Sequence, residues 1–169
     1  MPKVKKKKSL GIQFLMFLIK LAVIAGIAYV LLTRVVALQR IGSNTMYPAI
    51  RDGDMCIFYR LKEPMSGEVV LYEVNGIKMV GRVVGIEEQT LDINGEQVVI
   101  NGGIRAEEIM YPTTRDPESE VSYPVTLKHG DYFILNDYRM DKNDSRSFGI
   151  VKRENIEGVL IYVLRRRSF

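Results

Sequence analysis

The chain has 169 residues, a formal net charge of +4 and 47% apolar residues. That allows one modest domain plus an anchor, and excludes a disordered or collagen-like chain. Five lysines (Lys3, Lys5, Lys6, Lys7 and Lys8) crowd the first eight residues, and without them the remainder is about neutral, so charge implies no nucleic-acid surface.

Residues 1–9 read as a basic cytoplasmic tail. Leu10 to Leu32 follows as an apolar run. As a helix it spans roughly 34 Å at about 1.5 Å per residue, against a hydrocarbon core of about 30 Å. Lysines before the run and few charges just after it place the N-terminus in the cytoplasm by the positive-inside rule. The expectation is therefore a single-pass cell-membrane protein with residues 33–169 outside the cytoplasm and the lipid bilayer as a partner. A cleavable signal peptide would have a shorter apolar region and a small-x-small site, which Thr33-Arg34-Val35-Val36 does not supply. Lys20 interrupts the run at a cost of about 2.5–3.5 kcal/mol, part of which snorkelling toward the cytoplasmic side offsets.

After Arg40 the pattern becomes mainly β. Met55–Leu61, Glu68–Val74, Ile77–Ile86, Thr90–Ile93, Gln97–Ile100, Tyr132–Leu135 and Gly158–Leu164 read as strands. Asn94-Gly95 reads as a two-residue hairpin turn. The polar stretch from Pro112 to Pro124 reads as a loop or insertion. Cys56, alone of its kind, lies in an apolar strand pattern and reads as a buried structural thiol with no disulfide partner. His129 stands beside Gly130 in a turn. One histidine and one cysteine make a metal site improbable, and no phosphate loop or dinucleotide fingerprint is present, so no cofactor is expected.

Four segments draw attention together. They are Ser43-Asn44-Thr45-Met46-Tyr47-Pro48-Ala49-Ile50, thirteen residues past the apolar run at Thr45; Asp52-Gly53-Asp54; Gly81-Arg82-Val83-Val84-Gly85; and Asn136-Asp137-Tyr138-Arg139 with Asp144-Ser145-Arg146 and Gly149. Read singly, each has a plain explanation: a turn limited by Pro48, an Asp-Gly turn, or a solvated loop tied by Asp–Arg pairs. In this order, behind an N-terminal anchor, they resemble the boxes of type I signal peptidases. Those boxes have the form Ser-Met-x-Pro, Gly-Asp, Lys-Arg-Val-x-Gly and Gly-Asp-Asn-Arg-x-x-Ser-x-Asp-Ser-Arg.

The resemblance implies a signal-peptidase-type β fold outside the membrane. It implies a serine that attacks the carbonyl after a small residue of an exported preprotein. It also implies a lysine, kept neutral by burial, that takes the serine proton, and a second serine that hydrogen-bonds the lysine. Carried over by position, Thr45 stands at the nucleophile, Gly81 at the lost lysine, and Lys142 at the supporting serine. Met46, Pro48 and Arg82 are expected to shape the substrate cleft, and Asp144, Ser145 and Arg146 to brace the site. Asn136 and Tyr138 replace Gly and Asn.

Threonine still carries a hydroxyl, but without a base it attacks poorly, since a positioned base typically contributes 10²–10⁴-fold. Lys142 could extend a substitute amine toward Thr45. Lys78, an odd number of residues from Gly81, points to the other face of a regular strand, and a Ser43–Lys78 dyad breaks the Met and Pro spacing. The chain is therefore similar to degenerate relatives of Gram-positive pilus assembly. As such it would be a pseudoenzyme binding exported chains or pilin subunits, with sortase as a neighbour. An active signal peptidase using Thr45 is the alternative.

Overall fold

The computed structural model describes residues 10–165; the basic tail read over 1–9 lies outside the described residues. The chain divides into two units, 1–35 and 36–169. In the first, helix α1 (Leu10–Val30) is exposed all round, as expected of a helix whose apolar surface faces lipid rather than a protein core. A wider helical turn carries it through Leu31–Val35, three residues past Leu32. There the Thr33 hydroxyl donates to the Tyr29 carbonyl at 2.7 Å, a local bond that suits threonine to a helix end.

The second unit is mainly β. Its strands are β1 (Val36–Arg40), β2 (Met55–Tyr59), β3 (Val69–Val74), β4 (Ile77–Gly85), β5 (Thr90–Asn94), β6 (Gln97–Ile100), β7 (Gly103–Ile104), β8 (Val125–Thr126), β9 (Asp131–Leu135), β10 (Val151–Lys152) and β11 (Ile156–Leu164). A four-residue helix, α2 (Ser145–Phe148), precedes β10. Seven strands form one antiparallel sheet in the order β1-β2-β11-β3-β4-β9-β10, and four form another in the order β7-β6-β5-β8. The seven strand segments read from the sequence all exist, with ends moved by at most two residues and Gln97–Ile100 unmoved.

Four strands lack a sequence signal. β1 continues an apolar run and becomes a strand only by pairing Val36–Arg40 with Met55–Tyr59 of β2. β7, β8 and β10 are two residues each, too short to show a period.

Turn chemistry sets the hairpins. Val74 pairs with Ile77, so Asn75 and Gly76 alone form the β3–β4 turn. Both have positive φ, 52° and 79°, the requirement of the turn that matches strand twist. The turn expected at Asn94-Gly95 shifts by one: Asn94 pairs with Gln97, which leaves Gly95 and Glu96 as the two loop residues, with Gly95 at φ 61°.

The core has three parts. Met46, Ile50, Cys56, Phe58, Leu71 and Val80 pack under the segment that carries Thr45. Val70, Tyr72, Val83, Ile134 and Val159 form a second cluster. Leu91, Ile93, Val98, Leu127 and Phe133 join the small sheet to β4 and β9. Val80 and Gly81 are consecutive on β4, so their faces diverge: Val80 meets the first cluster, whereas a side chain at Gly81 would meet Tyr72 and Ile134 of the second.

Candidate active site

The segment of Thr45 is held at both ends and from below. Two backbone bonds tie Ile41 to the 53–54 turn, with Ile41 N–H on the Asp54 carbonyl at 2.9 Å and Gly53 N–H on the Ile41 carbonyl at 2.9 Å. Gly53 sits at φ 86°, a region that favours glycine, and this explains the Asp-Gly turn. The Asn44 side chain accepts from Asp52 N–H at 3.0 Å. Arg165 closes the segment by donating to Asp54 Oδ2 at 3.2 Å and to the Ala49 carbonyl at 2.9 Å.

Two contacts join this segment to the last box. The Thr45 carbonyl accepts from Tyr138 N–H at 2.9 Å, and Met46, 1% exposed, accepts from Asp137 N–H at its sulfur, 3.4 Å away. Met46 is thus a floor beneath Thr45, fixed by packing and by one weak bond. Pro48 is exposed and, like Met46, is not among the residues lining the cleft at Thr45.

Thr45 lines a cleft of about 310 Å³. Ser43, Lys78, Val80, Asn136, Asp141 and Asn143 also line it. The Thr45 Oγ1 has one hydrogen-bond partner among the described residues, the Ser43 hydroxyl at 3.1 Å. No amine or imidazole is bonded to it among those residues. A hydroxyl cannot serve as the proton acceptor that a threonine nucleophile needs near neutrality.

The two lysines weighed as substitute amines are engaged elsewhere. The Lys142 ammonium donates to the Arg115 carbonyl at 3.1 Å, so it holds the 112–124 loop, and Lys142 is not among the cleft residues. Lys78 shares the cleft with Thr45 and Ser43, and its ammonium is paired with Glu157. The strand-offset reading holds against Gly81, yet the face opposite Gly81 is the one that carries Lys78 and Val80 toward Thr45.

Gly81 is buried and does not line the cleft. Arg82, expected at the cleft, lies elsewhere: it lines a groove with Gly67, Arg105 and Glu107. Its Nε and Nη2 donate to the two Asp137 oxygens at 2.7 and 2.6 Å, and its Nη1 donates to the Gly67 carbonyl at 2.7 Å. The Asp137 carboxylate raises the Arg82 guanidinium above its already high range, and burial opposes this. The reason for its placement is geometric, since a planar fork matches a carboxylate in two parallel bonds.

The last box folds around its own charges. Asp144 caps α2 by accepting from Arg146 N–H at 3.0 Å, the ordinary use of an aspartate before a helix. Its oxygens also accept from Asn136 N–H and from Arg146 Nε and Nη2 at 3.0, 2.9 and 2.7 Å. Arg146 donates further to the Arg139, Asp141 and Thr114 carbonyls. The Ser145 hydroxyl accepts from Ile134 N–H at 2.9 Å. Both side chains of the Asp144–Arg146 pair are 0% exposed, and this satisfaction of every charge is what permits such burial. Arg139 pairs with Glu107 at 2.9 Å and with Thr113.

Sequence reading missed Asp141 and Asn143 as cleft residues and missed Ile134 beside Gly81. The first two are ordinary loop residues, and the third is one apolar strand residue among many. Only the crossing of distant strands distinguishes them.

Comparison with known proteins agrees with this architecture. The pattern of the family described as signal peptidase, peptidase S26, matches residues 14–164. Signal peptidase I T of Bacillus subtilis (strain 168) is 27% identical over 133 residues, 71% of this chain and 69% of its own length. Probable signal peptidase I-1 of Synechocystis is 26% identical over 165 residues, 89% of this chain and 82% of its own length. A crystal structure of a signal peptidase I from Enterococcus faecalis V583 superimposes with a TM-score of 0.51 at 28% identity, covering 59% of this chain and 98% of that one. Fold, box order and match all point one way: the chain belongs to the signal peptidase family, peptidase S26.

Proposed function

We propose that this chain is a membrane-anchored, non-cutting signal peptidase relative that holds exported chains in the Thr45 cleft. The family acts on exported preproteins, and one apolar N-terminal helix fits anchoring. The N-terminus is cytoplasmic and the β unit faces the exterior, where exported chains emerge. The partners fitting the resemblance are pilin subunits awaiting covalent assembly by sortase at a Gram-positive surface.

The observation that carries the reading is the pairing of Thr45 Oγ1 with Ser43 Oγ at 3.1 Å; the family resemblance supports it by assigning Gly81 to the position of the base. Loss of a positioned base typically removes 10²–10⁴-fold in rate, whereas grooves, strand edges and shape remain available for binding.

Two measurements test it. Purified full-length protein in detergent is incubated with a preprotein, and the preprotein stays intact. In the producing cell, deletion abolishes surface-protein polymers while bulk secretion continues, and a Thr45→Ala copy restores the polymers. Normal polymer ladders in the deletion strain refute the assembly role.

One observation favours a second reading, an active peptidase: Lys78 lines the same cleft as Ser43 and Thr45. Its pairing with Glu157 opposes use as a base. Preprotein cleavage by the wild type that disappears in Lys78→Met would establish this alternative.

A further inference from the structure

Gly81 does not have the backbone of an obligatory glycine, since its φ lies outside the left-handed region. Its side-chain direction is nevertheless occupied. A Cβ built there falls 2.6 Å from Ile134 Cγ2, 3.2 Å from Tyr72 Cε1 and 3.3 Å from the Leu135 carbonyl oxygen. The first distance is far below contact, and Ile134 Cγ2 is a branch methyl that cannot swing away like the end of a flexible chain. Tyr72 and Ile134 are each 0% exposed, so neither can retreat into solvent.

A second change lies across the strand pair. Arg82 pairs with Leu135, and the next step along both strands brings Gly81 level with Asn136, which stands where the family pattern has glycine. Asn136 is 2% exposed, and its amide nitrogen donates to the Asn143 and Asp141 carbonyls at 3.3 and 3.5 Å. Those carbonyls flank Lys142, the position of the supporting serine. One strand has lost a side chain where its neighbour has gained one, and the gained amide bonds the loop that borders the cleft.

We propose that the base position is closed rather than vacant. Ile134 and Asn136 fill the space that a lysine side chain at position 81 would need, so no single substitution returns an amine to this site. The inference rests on the assignment of Gly81 to the lysine position, but its physical content is packing and is tested as packing. Ile134 and Asn136 are positioning residues here, since neither needs to touch a client.

The experiment introduces Gly81→Lys into three backgrounds of the full-length protein in detergent: wild type, Ile134→Ala, and Ile134→Ala with Asn136→Gly. The melting temperature of each is compared with its own parent. The expected result is a large drop in the wild-type background, a smaller one once the Ile134 methyls are gone, and the smallest when the Asn136 side chain is also removed. Equal drops in all three backgrounds overturn the proposal. Should Gly81→Lys fail to fold in the wild-type background, Gly81→Ala repeats the comparison with the Cβ alone, and a drop that persists unchanged in Ile134→Ala overturns it equally.

Activity separates this inference from the reading it rests on. Preprotein cleavage by the wild type refutes the non-cutting reading and leaves the packing result standing. Cleavage by Gly81→Lys alone, at the parent's melting temperature, refutes the closed site.

Discussion

Arg82 and Asp137 are 55 residues apart in sequence and meet through two N–H···O bonds of 2.7 and 2.6 Å. The pair joins β4, one residue past Gly81, to the loop whose next residue bonds the Thr45 carbonyl. It is a structural tie between β4 and the segment that carries the Thr45 hydroxyl.

Asp137 is 1% exposed and Arg82 25% at their side chains. Asp137→Ala therefore strands a mostly buried guanidinium and is expected to cost about 2–4 kcal/mol, below the full 3–5 kcal/mol range for buried pairs because Arg82 keeps some water. Removing both partners, as Asp137→Ala with Arg82→Met, recovers much of that loss. Urea unfolding of the detergent-solubilised chain measures both, and an additive double variant would show that the tie contributes nothing of its own.

The Lys142 ammonium is bonded to the 112–124 loop at the Arg115 carbonyl. Lys142→Ala is expected to change global stability by less than about 1 kcal/mol, the worth of one exposed hydrogen bond. It should raise amide hydrogen exchange in residues 112–124 while leaving exchange in β4 and β9 unchanged. Protection that is unaltered in the loop would remove Lys142 from this role.

Acid should loosen the surface ties first. The Arg153 hydrogen bond lowers the Glu63 carboxyl below its ordinary value, against a weaker opposing effect of burial, and the Ser147 hydroxyl does the same for Asp116. Each folded value lies below the unfolded one, so the stability they contribute is present above the ordinary carboxylate range. It is lost as pH falls through the lowered values. Melting temperature followed downward from pH 7 is expected to decline in that window, and Arg153→Met should flatten the Glu63 part of the decline.

Cys56 works in the opposite direction. Burial, aided by Asp54, pushes its thiol up to about 11. The folded value exceeds the unfolded one, so its contribution is present below the ordinary thiol range and is lost as pH rises through about 11. A thiol reagent at pH 8 is expected to leave the folded protein unlabelled and to label it stoichiometrically in denaturant. Fast labelling of the folded protein would place the thiol at the surface.

The strands that could be read from sequence were those long enough to repeat, such as Ile77–Gly85 and Ile156–Leu164. β1 could not be, because Val36–Arg40 continues an apolar run and takes its conformation from a partner beginning fifteen residues later. The boxes were legible because their residues are close in sequence: Asp144 and Arg146 bond each other two positions apart. Arg82 was misplaced because its partner is distant, and the same holds for Ile134 against Gly81.

Sequence alone determined that an apolar span precedes a β-rich stretch, and that Thr45 carries a hydroxyl while Gly81 carries no amine. Both are statements about which atoms exist, and no folding changes them. Only the tertiary structure decided which surviving side chains come together. It turned Lys78 to Glu157 and Lys142 to Arg115, and laid the Ile134 methyl where a side chain on Gly81 would begin. The physical reason is that strand crossing and close packing set distances between residues whose spacing along the chain carries no information about them.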